Sequence, residues 1–492
     1  MKDNTRNVAA TNCALCEMNR RRFIGRCALA AGAAGFLTGP VLSAAGERPK
    51  SKRIRIVYSL HAVKQPGPDW PNKGFDFAPV IERINQTLKR QCPQLTFITS
   101  LANGPEEAKK IVDEDAKTNG VDGYIVYQMN CWNRVVQTIA ATGKPVLYAD
   151  FQFGGSGGFL VYTAAFLREN TPNVGFVASS RISDFVEAVK CFEHVGPGAN
   201  FAQAVAETRV RRTRKAGNLR CRPDPVSCLS AEECLRQLKQ AKILAVRGQE
   251  SGPAGEILGI PIVHVPFAEL NDAWKAADRD EARAWADAWQ KTARKIEGVS
   301  RETLEQSAAM YLAEKALLKK YGANAITINC LGGFYGGHIH AYPCLGFYQL
   351  CNEGLIGGCE CDVRSAASMV LFTTLTRGRP GYISDPVMDT SKRQIIYAHC
   401  VASNRVFGPE GPTNPIEILT HSEDRQGASV RSLLPIGYMT TTIQLDQNRK
   451  EILLHRAKAV ANDPDDRACR TKLCAEPVGD FEKLFTLWDR WG

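Results

Sequence analysis

Four polar side chains stand at the ends of apolar runs between positions 360 and 421: Glu360 in GGCECD, Asp385 in GYISDP, His399 in YAHC and His421 in ILTHSED. Taken singly, each is an ordinary core or capping residue. Taken together, carboxylates and imidazoles placed at strand ends are the donor set that a hard divalent cation takes, oxygen first and imidazole second. Other chemistries lack support. The chain has no GxxxxGK[ST] phosphate loop, GGSGG at 154–158 lacks the spacing of a dinucleotide fingerprint, and no G-x-S-x-G elbow is present. The cysteines do not form the two CxxC pairs of a structural zinc site.

The stretch that carries Glu360 reads GGCECDVRSAAS. Gly357 and Gly358 allow close backbone approach, and alternation along a strand puts Glu360 and Asp362 on one face with Cys359 and Cys361 on the other. From Arg364 onward Ala367, Val370 and Leu371 follow helical spacing, so Asp362 is expected as the N-cap of that helix.

The elements that must position these groups form two α/β series and a β-rich tail. From residue 53, RIRIVYSL, LTFITSL, GYIVYQM and PVLYAD alternate with amphipathic segments such as FDFAPVIERINQTLKRQ, which predicts a parallel sheet covered on both faces over 52–195. Ligands gather beyond the carboxyl ends of such strands, where Trp70 in PGPDWPNKG and the pair Gln128 and Asn130 are candidates for substrate contact. A segment at 196–240 with a basic loop follows. A second α/β domain then spans 241–378, with ILAVRG and GIPIVHVP as strands, DRDEARAWADAWQKTARKI as a long helix and AITINCLGG as a further buried strand. Beyond 379 the helical period fades, and RQIIYAHCVA, PIEILTHSED, ASVRSLLPIGYMTTTIQL and EILLHRA predict a β-rich C-terminal domain over 379–492.

The first 46 residues differ from the rest. Paired arginines (Arg20, Arg21), Phe23, Ile24, an uncharged run rich in Ala and Gly, and Ser43-Ala44-Ala45 predict a twin-arginine export signal and a periplasmic or other extracytoplasmic location. This leader holds six Lys or Arg and two acids, so the net charge of +11 becomes +7 without it. The one basic cluster, RVRRTRKAGNLRCR at 209–222, has no interleaved aromatics; it predicts a solvated loop and no nucleic-acid partner. Fourteen of the seventeen cysteines lie after the leader, and loop disulfides among Cys221, Cys228 and Cys234, or between Cys469 and Cys474, are compatible with an oxidising compartment. No stable transmembrane span is expected in the mature chain: residues 321–352 lack formal charge, but six glycines and a proline suit a buried strand, loop and helix.

From CECD through ISDP and YAHC, the chain resembles the L-fucose and L-arabinose isomerases, with its usable motifs between residues 325 and 425. The resemblance implies that Glu360 and Asp385 bind a divalent metal, usually manganese in that family, while doubling as the catalytic acid/base pair. It implies His399 as a further ligand and a late histidine in the C-terminal module, for which His421 is preferred over His455. It also implies an aldose–ketose isomerase passing through an enediol whose charge the metal stabilises, a small sugar as substrate, and a homo-oligomer with sites near subunit contacts. A non-catalytic exported carbohydrate-binding protein on the same fold is the alternative.

Overall fold

The computed structural model describes residues 51–196 and 199–488, and Ser51–Gly492 forms one compact unit. The export signal expected over 1–46 lies outside the described residues. Among the described residues, no helix is long and apolar enough to cross a membrane.

Strands β1 (Lys52–Ser59), β2 (Leu95–Ala102), β3 (Gly123–Gln128), β4 (Val146–Asp150) and β5 (Val174–Val177) make a wholly parallel sheet in the order β2-β1-β3-β4-β5. Period-two alternation explains its double burial: Ile54, Ile56 and Tyr58 enter one core, while Val57 enters another on the opposite face. The GGSGG stretch opens the helix Ser156–Arg168. There a Cβ on Gly155 would stand 2.1 Å from the Gln128 carbonyl oxygen, so close packing on β3 requires the glycine.

The second sheet contains β6 (Ile243–Val246), β7 (Gly252–Ile257), β8 (Ile260–Val265), β10 (Ala325–Ile328) and β11 (Ile356–Cys359), ordered β11-β10-β6-β8-β7. It corrects the expectation of a purely parallel second sheet. The segment GPAGEI, too rich in glycine to be legible as a strand, folds back as β7 and pairs antiparallel with β8 at the sheet edge. A second correction concerns DRDEARAWADAWQKTARKI: its helix ends at Thr292, and Lys295–Glu297 becomes β9.

The C-terminal region is β-rich, as expected, and its main sheet is antiparallel. β12 (Asp385–Asp389), β13 (Gln394–His399), β16 (Met439–Asp446), β17 (Glu451–Asn462) and β18 (Thr471–Pro477) form a sheet ordered β12-β13-β18-β17-β16. β14 (Ile416–Leu419) and β15 (Ser429–Ser432) form a smaller sheet with β9 at its edge, where β9 runs parallel to β14. In β13, Ile395 and Tyr397 face the core shared with the first sheet, whereas Ile396 and Ala398 face the core shared with the second. This strand is therefore apolar on both sides and bridges the two α/β layers.

Two further expectations are revised. The basic stretch is not wholly a solvated loop: Arg209–Arg212 form the last turn of the helix Phe201–Arg212. Arg209 is buried against the Phe176 ring, 3.6 Å from its centroid, and paired with Glu482 at 2.7 Å; Arg212 pairs with Asp184 at 2.7 Å. Cys221, Cys228, Cys234, Cys469 and Cys474 are all free thiols, Cys469 and Cys474 being buried in the same core.

Candidate metal and acid/base site

Strand order alone brings three distant residues to one edge. Asp385 begins β12 and His399 ends β13; because those strands are antiparallel neighbours, both lie at the same end of the sheet. β18 pairs antiparallel with β13 through His399 and Thr471, which brings Cys469, two residues earlier, to that same end. One ligand atom from each of Asp385, His399 and Cys469 lies within 4.8 Å of the others, an arrangement able to hold a metal ion. His399 Nδ1 sits 3.2 Å from Asp385 Oδ2. His399 Nε2 is buried and has no hydrogen-bond partner among the described residues, the state of a ring nitrogen waiting for a ligand or a water.

Glu360 arrives from the second sheet. β11 ends at Cys359, and Glu360 and Cys361 both adopt left-handed backbone, φ 64° and 57°. Such conformations cost non-glycine residues roughly 1–3 kcal/mol each and persist where the surroundings hold them. Here Cys361 N–H donates to the Ile328 carbonyl at 3.0 Å, and Asp362 caps the helix Val363–Leu375 by accepting from Ser365 N–H at 2.9 Å. Gly357 is required by packing, since a Cβ there would stand 2.4 Å from Phe347 Cα. The expected face alternation fails because the strand stops one residue before Glu360: Cys359 lines the same cavity as Glu360 instead of facing away.

That cavity, about 10 Å³ in volume, has the room of roughly one water or one bare cation; a larger molecule meets it from the side of Glu360, which is exposed. Glu360, His399, His421, Glu423 and Cys469 contribute its polar wall, with the thiols of Cys330 and Cys400 beside them. His421 lies stacked on Tyr342 (centroids 5.2 Å apart), with Tyr335 Oη 3.3 Å from its Nδ1, and is outside the three-residue ligand group. Tyr335 also donates to Glu423 Oε2 at 3.0 Å.

The electrostatics follow from enclosure. Glu360 is an exposed residue that lines the cavity among buried neighbours. Desolvation there, with the Asp385 charge next in weight, pushes its carboxyl up to about 8. Glu423 is pushed up to about 7, chiefly by burial, against the lowering effect of His421. Burial alone would lower His399, but the hydrogen bond and charge of Asp385 and the charge of Glu360 outweigh it and hold the imidazole at about 10. Two carboxyls poised near neutrality beside a cation-sized recess can exchange protons with a bound substrate.

The N-terminal candidates lie elsewhere. Gln128 accepts from Tyr148 Oη at 2.9 Å and donates to the Asn130 carbonyl; Asn130 accepts from His61 N–H at 3.0 Å and donates to Gln65 Oε1 and the Trp70 carbonyl, each at 3.1 Å. Both amides are fully buried and neither lines the cavity. The indole of Trp70 packs into the core with Phe153. Its loop nevertheless touches the site's rim: Lys73 N–H donates to the Glu423 carbonyl at 2.6 Å, and Arg425 donates to Asn72 Oδ1 at 2.8 Å. Sequence reasoning missed Glu423 and Cys469. Glu423 was visible in the polar SED that ends its strand, whereas nothing in the spacing of Cys469 marks it as a ligand.

No family model matches the chain. Among curated proteins, it is similar to the sulfoquinovose isomerases of Priestia aryabhattai (24% identical over 137 residues, 27% of this chain and 30% of that protein) and Alkalicoccus urumqiensis (23% over 158 residues, 32% and 35%). That of Clostridium sp. (strain MSTE9) is 27% identical over 183 residues, 35% of this chain and 40% of the relative. The matches thus span only 30% to 40% of the relatives' length. Among solved structures, an ABC transporter solute-binding protein from Bacillus halodurans C-125 with bound myo-inositol aligns at a TM-score of 0.17 and 13% identity, covering 68% of this chain and 91% of the other. A periplasmic ribose ABC transporter from Conexibacter woesei gives 0.19 and 15%, covering 69% and 92%. Scores this low carry no argument about fold or ligand.

Proposed function

We propose that the protein is a cation-dependent aldose–ketose isomerase acting on a fucose- or arabinose-like sugar. The observation that carries the reading is the convergence of Asp385, His399 and Cys469 beside a cavity that also presents Glu360 and Glu423. The local similarity to sulfoquinovose isomerases supports the reaction class and adds sulfoquinovose to the sugars worth testing.

A divalent cation fits the site on two counts, the unpartnered Nε2 of His399 and a recess of ionic size, and Asp385, His399 and Cys469 would hold it. Bound there, it would supply Lewis-acid stabilisation of the negative charge that develops on the sugar oxygens. The protein's own groups move the proton. Asp385 is committed to His399, which leaves Glu360 to take the hydrogen from the carbon beside the carbonyl and Glu423, on the same cavity wall, to serve as its partner acid. Each such group contributes about 10²- to 10⁴-fold when its proton affinity lies near the working pH. Tyr335, bonded to Glu423, fixes the second carboxyl in place.

The decisive measurement is proton NMR of fucose, arabinose and sulfoquinovose with the metal-loaded protein in D₂O. Ketose formation with deuterium entering at the carbon next to the carbonyl supports isomerisation through an enediol. Sugar binding without exchange supports the second reading, a binding protein on the same fold. The export route is tested by replacing Arg20 and Arg21 with lysine and following the protein to the periplasm; the homo-oligomer is tested by light scattering.

A further inference from the structure

We infer that Cys469 Sγ is a direct ligand of the cation, making this a mixed oxygen–nitrogen–sulfur site that selects a thiophilic divalent ion, zinc or cobalt(II), over manganese or magnesium. The inference deepens the proposed function, since it concerns the ion of the same site, and it rests on that reading only for the presence of a cation.

Three observations carry it. The three-residue ligand group contains one carboxylate, one imidazole and one thiol, whereas His421, the histidine favoured from sequence, stands outside it. His399, only 2% exposed, keeps Nε2 without a partner on the cavity wall, so the cysteine is not the sole pointer to a ligand. Cys469 is 4% exposed, lines that cavity, and receives the Ser422 hydroxyl at 3.9 Å, a donor aimed at sulfur. A donor next to a ligating sulfur orients it.

Selectivity follows from ligand type. Magnesium and manganese favour carboxylate, carbonyl and water, while thiolate and imidazole favour zinc and its borderline neighbours, with affinities rising along the series from manganese toward copper. Three protein ligands with one position left open is also the stoichiometry of catalytic zinc. Asp385, whose side chain is 46% exposed, connects the ligand group to solvent.

The test uses the full chain stripped of metal. Cobalt(II) chloride added to the apo-protein is expected to give a near-ultraviolet sulfur-to-cobalt charge-transfer band that is absent in Cys469→Ser and retained in Cys400→Ser. Competition dialysis against equal zinc and manganese, read by elemental mass spectrometry, is expected to leave at least tenfold more zinc on the wild type, with the ratio shifting toward manganese in Cys469→Asp. A wild-type protein that takes up cobalt without the band, or that retains manganese over zinc, overturns the inference without any variant having to fold. The two readings fail separately: a band without turnover in any metal sinks only the isomerase, and turnover with manganese and no band sinks only the sulfur ligand.

Discussion

Both α/β sheets bury polar groups at the carboxyl ends of their parallel strands, but they treat them differently. At the end of β3, Gln128 and Asn130 are locked into bonds with Tyr148, His61, Gln65 and the Trp70 carbonyl, and neither lines the cavity of the second sheet. Beyond β10 and β11, Glu360 and Cys330 border a recess whose far wall, built by the antiparallel sheet, holds an unpartnered imidazole nitrogen. Buried polarity is common to both. At the second end it converges on a cavity with one imidazole nitrogen left unpartnered, and that incompleteness is what a bound ion or substrate can remedy.

Glu360→Gln tests the incomplete end most severely. Turnover of the best sugar is expected to fall by about 10²- to 10⁴-fold with the fold retained by circular dichroism; a loss under tenfold would erase the functional contrast between the two ends. The next effect lies at the satisfied end, where Asp150 is the exception. It accepts from Ser156 at 2.8 Å through Oδ2, its Oδ1 has no partner among the described residues, and burial pushes it up to about 7. Its unfolded counterpart ionises near 3.8, so between those values the unfolded chain holds fewer protons. Stability therefore falls as pH rises from about 4 to about 7, by up to about 4 kcal/mol at 1.36 kcal/mol per pH unit. Asp150→Asn is expected to flatten that slope in urea unfolding followed across pH.

Asn130→Ala sharpens the contrast from the other side. It strands the His61 N–H and the Trp70 carbonyl, and is expected to cost about 1–3 kcal/mol in denaturant unfolding while leaving kcat/KM of the folded protein unchanged. Asp362→Ala has the smallest effect, about 1 kcal/mol of helix-cap stability, visible as a lower Tm. A large kinetic effect of Asn130→Ala would restore the first sheet's end as a substrate site.

Much of this architecture was legible in the sequence. The βαβ rhythm of 53–150 is a periodic signal that packing reinforces, the apolar run IIYA marked β13 as a strand, and Asp362 followed by helical spacing announced its cap. What escaped depended on tertiary company. β7 is glycine-rich and gains its order from pairing with β8, and β9 is three residues recruited by β14. The left-handed step at Glu360 and Cys361 overrode strand alternation because the chain turns into a capped helix there. Cys469 is a ligand candidate only because β18 lies against β13, and strand order is not written in local composition.

β9 has a consequence for how the molecule comes apart. Lys295–Glu297 precedes Glu360 in the chain yet is hydrogen-bonded to Ile416–Leu419, beyond His399. The segment carrying the base and the segment carrying the ligands are thus stitched crosswise through the small sheet β15-β14-β9, so that neither can detach without breaking that sheet. Heating should release both in a single cooperative transition, and a chain shortened before Ile416 would lose the partner of β9 along with its own final strands.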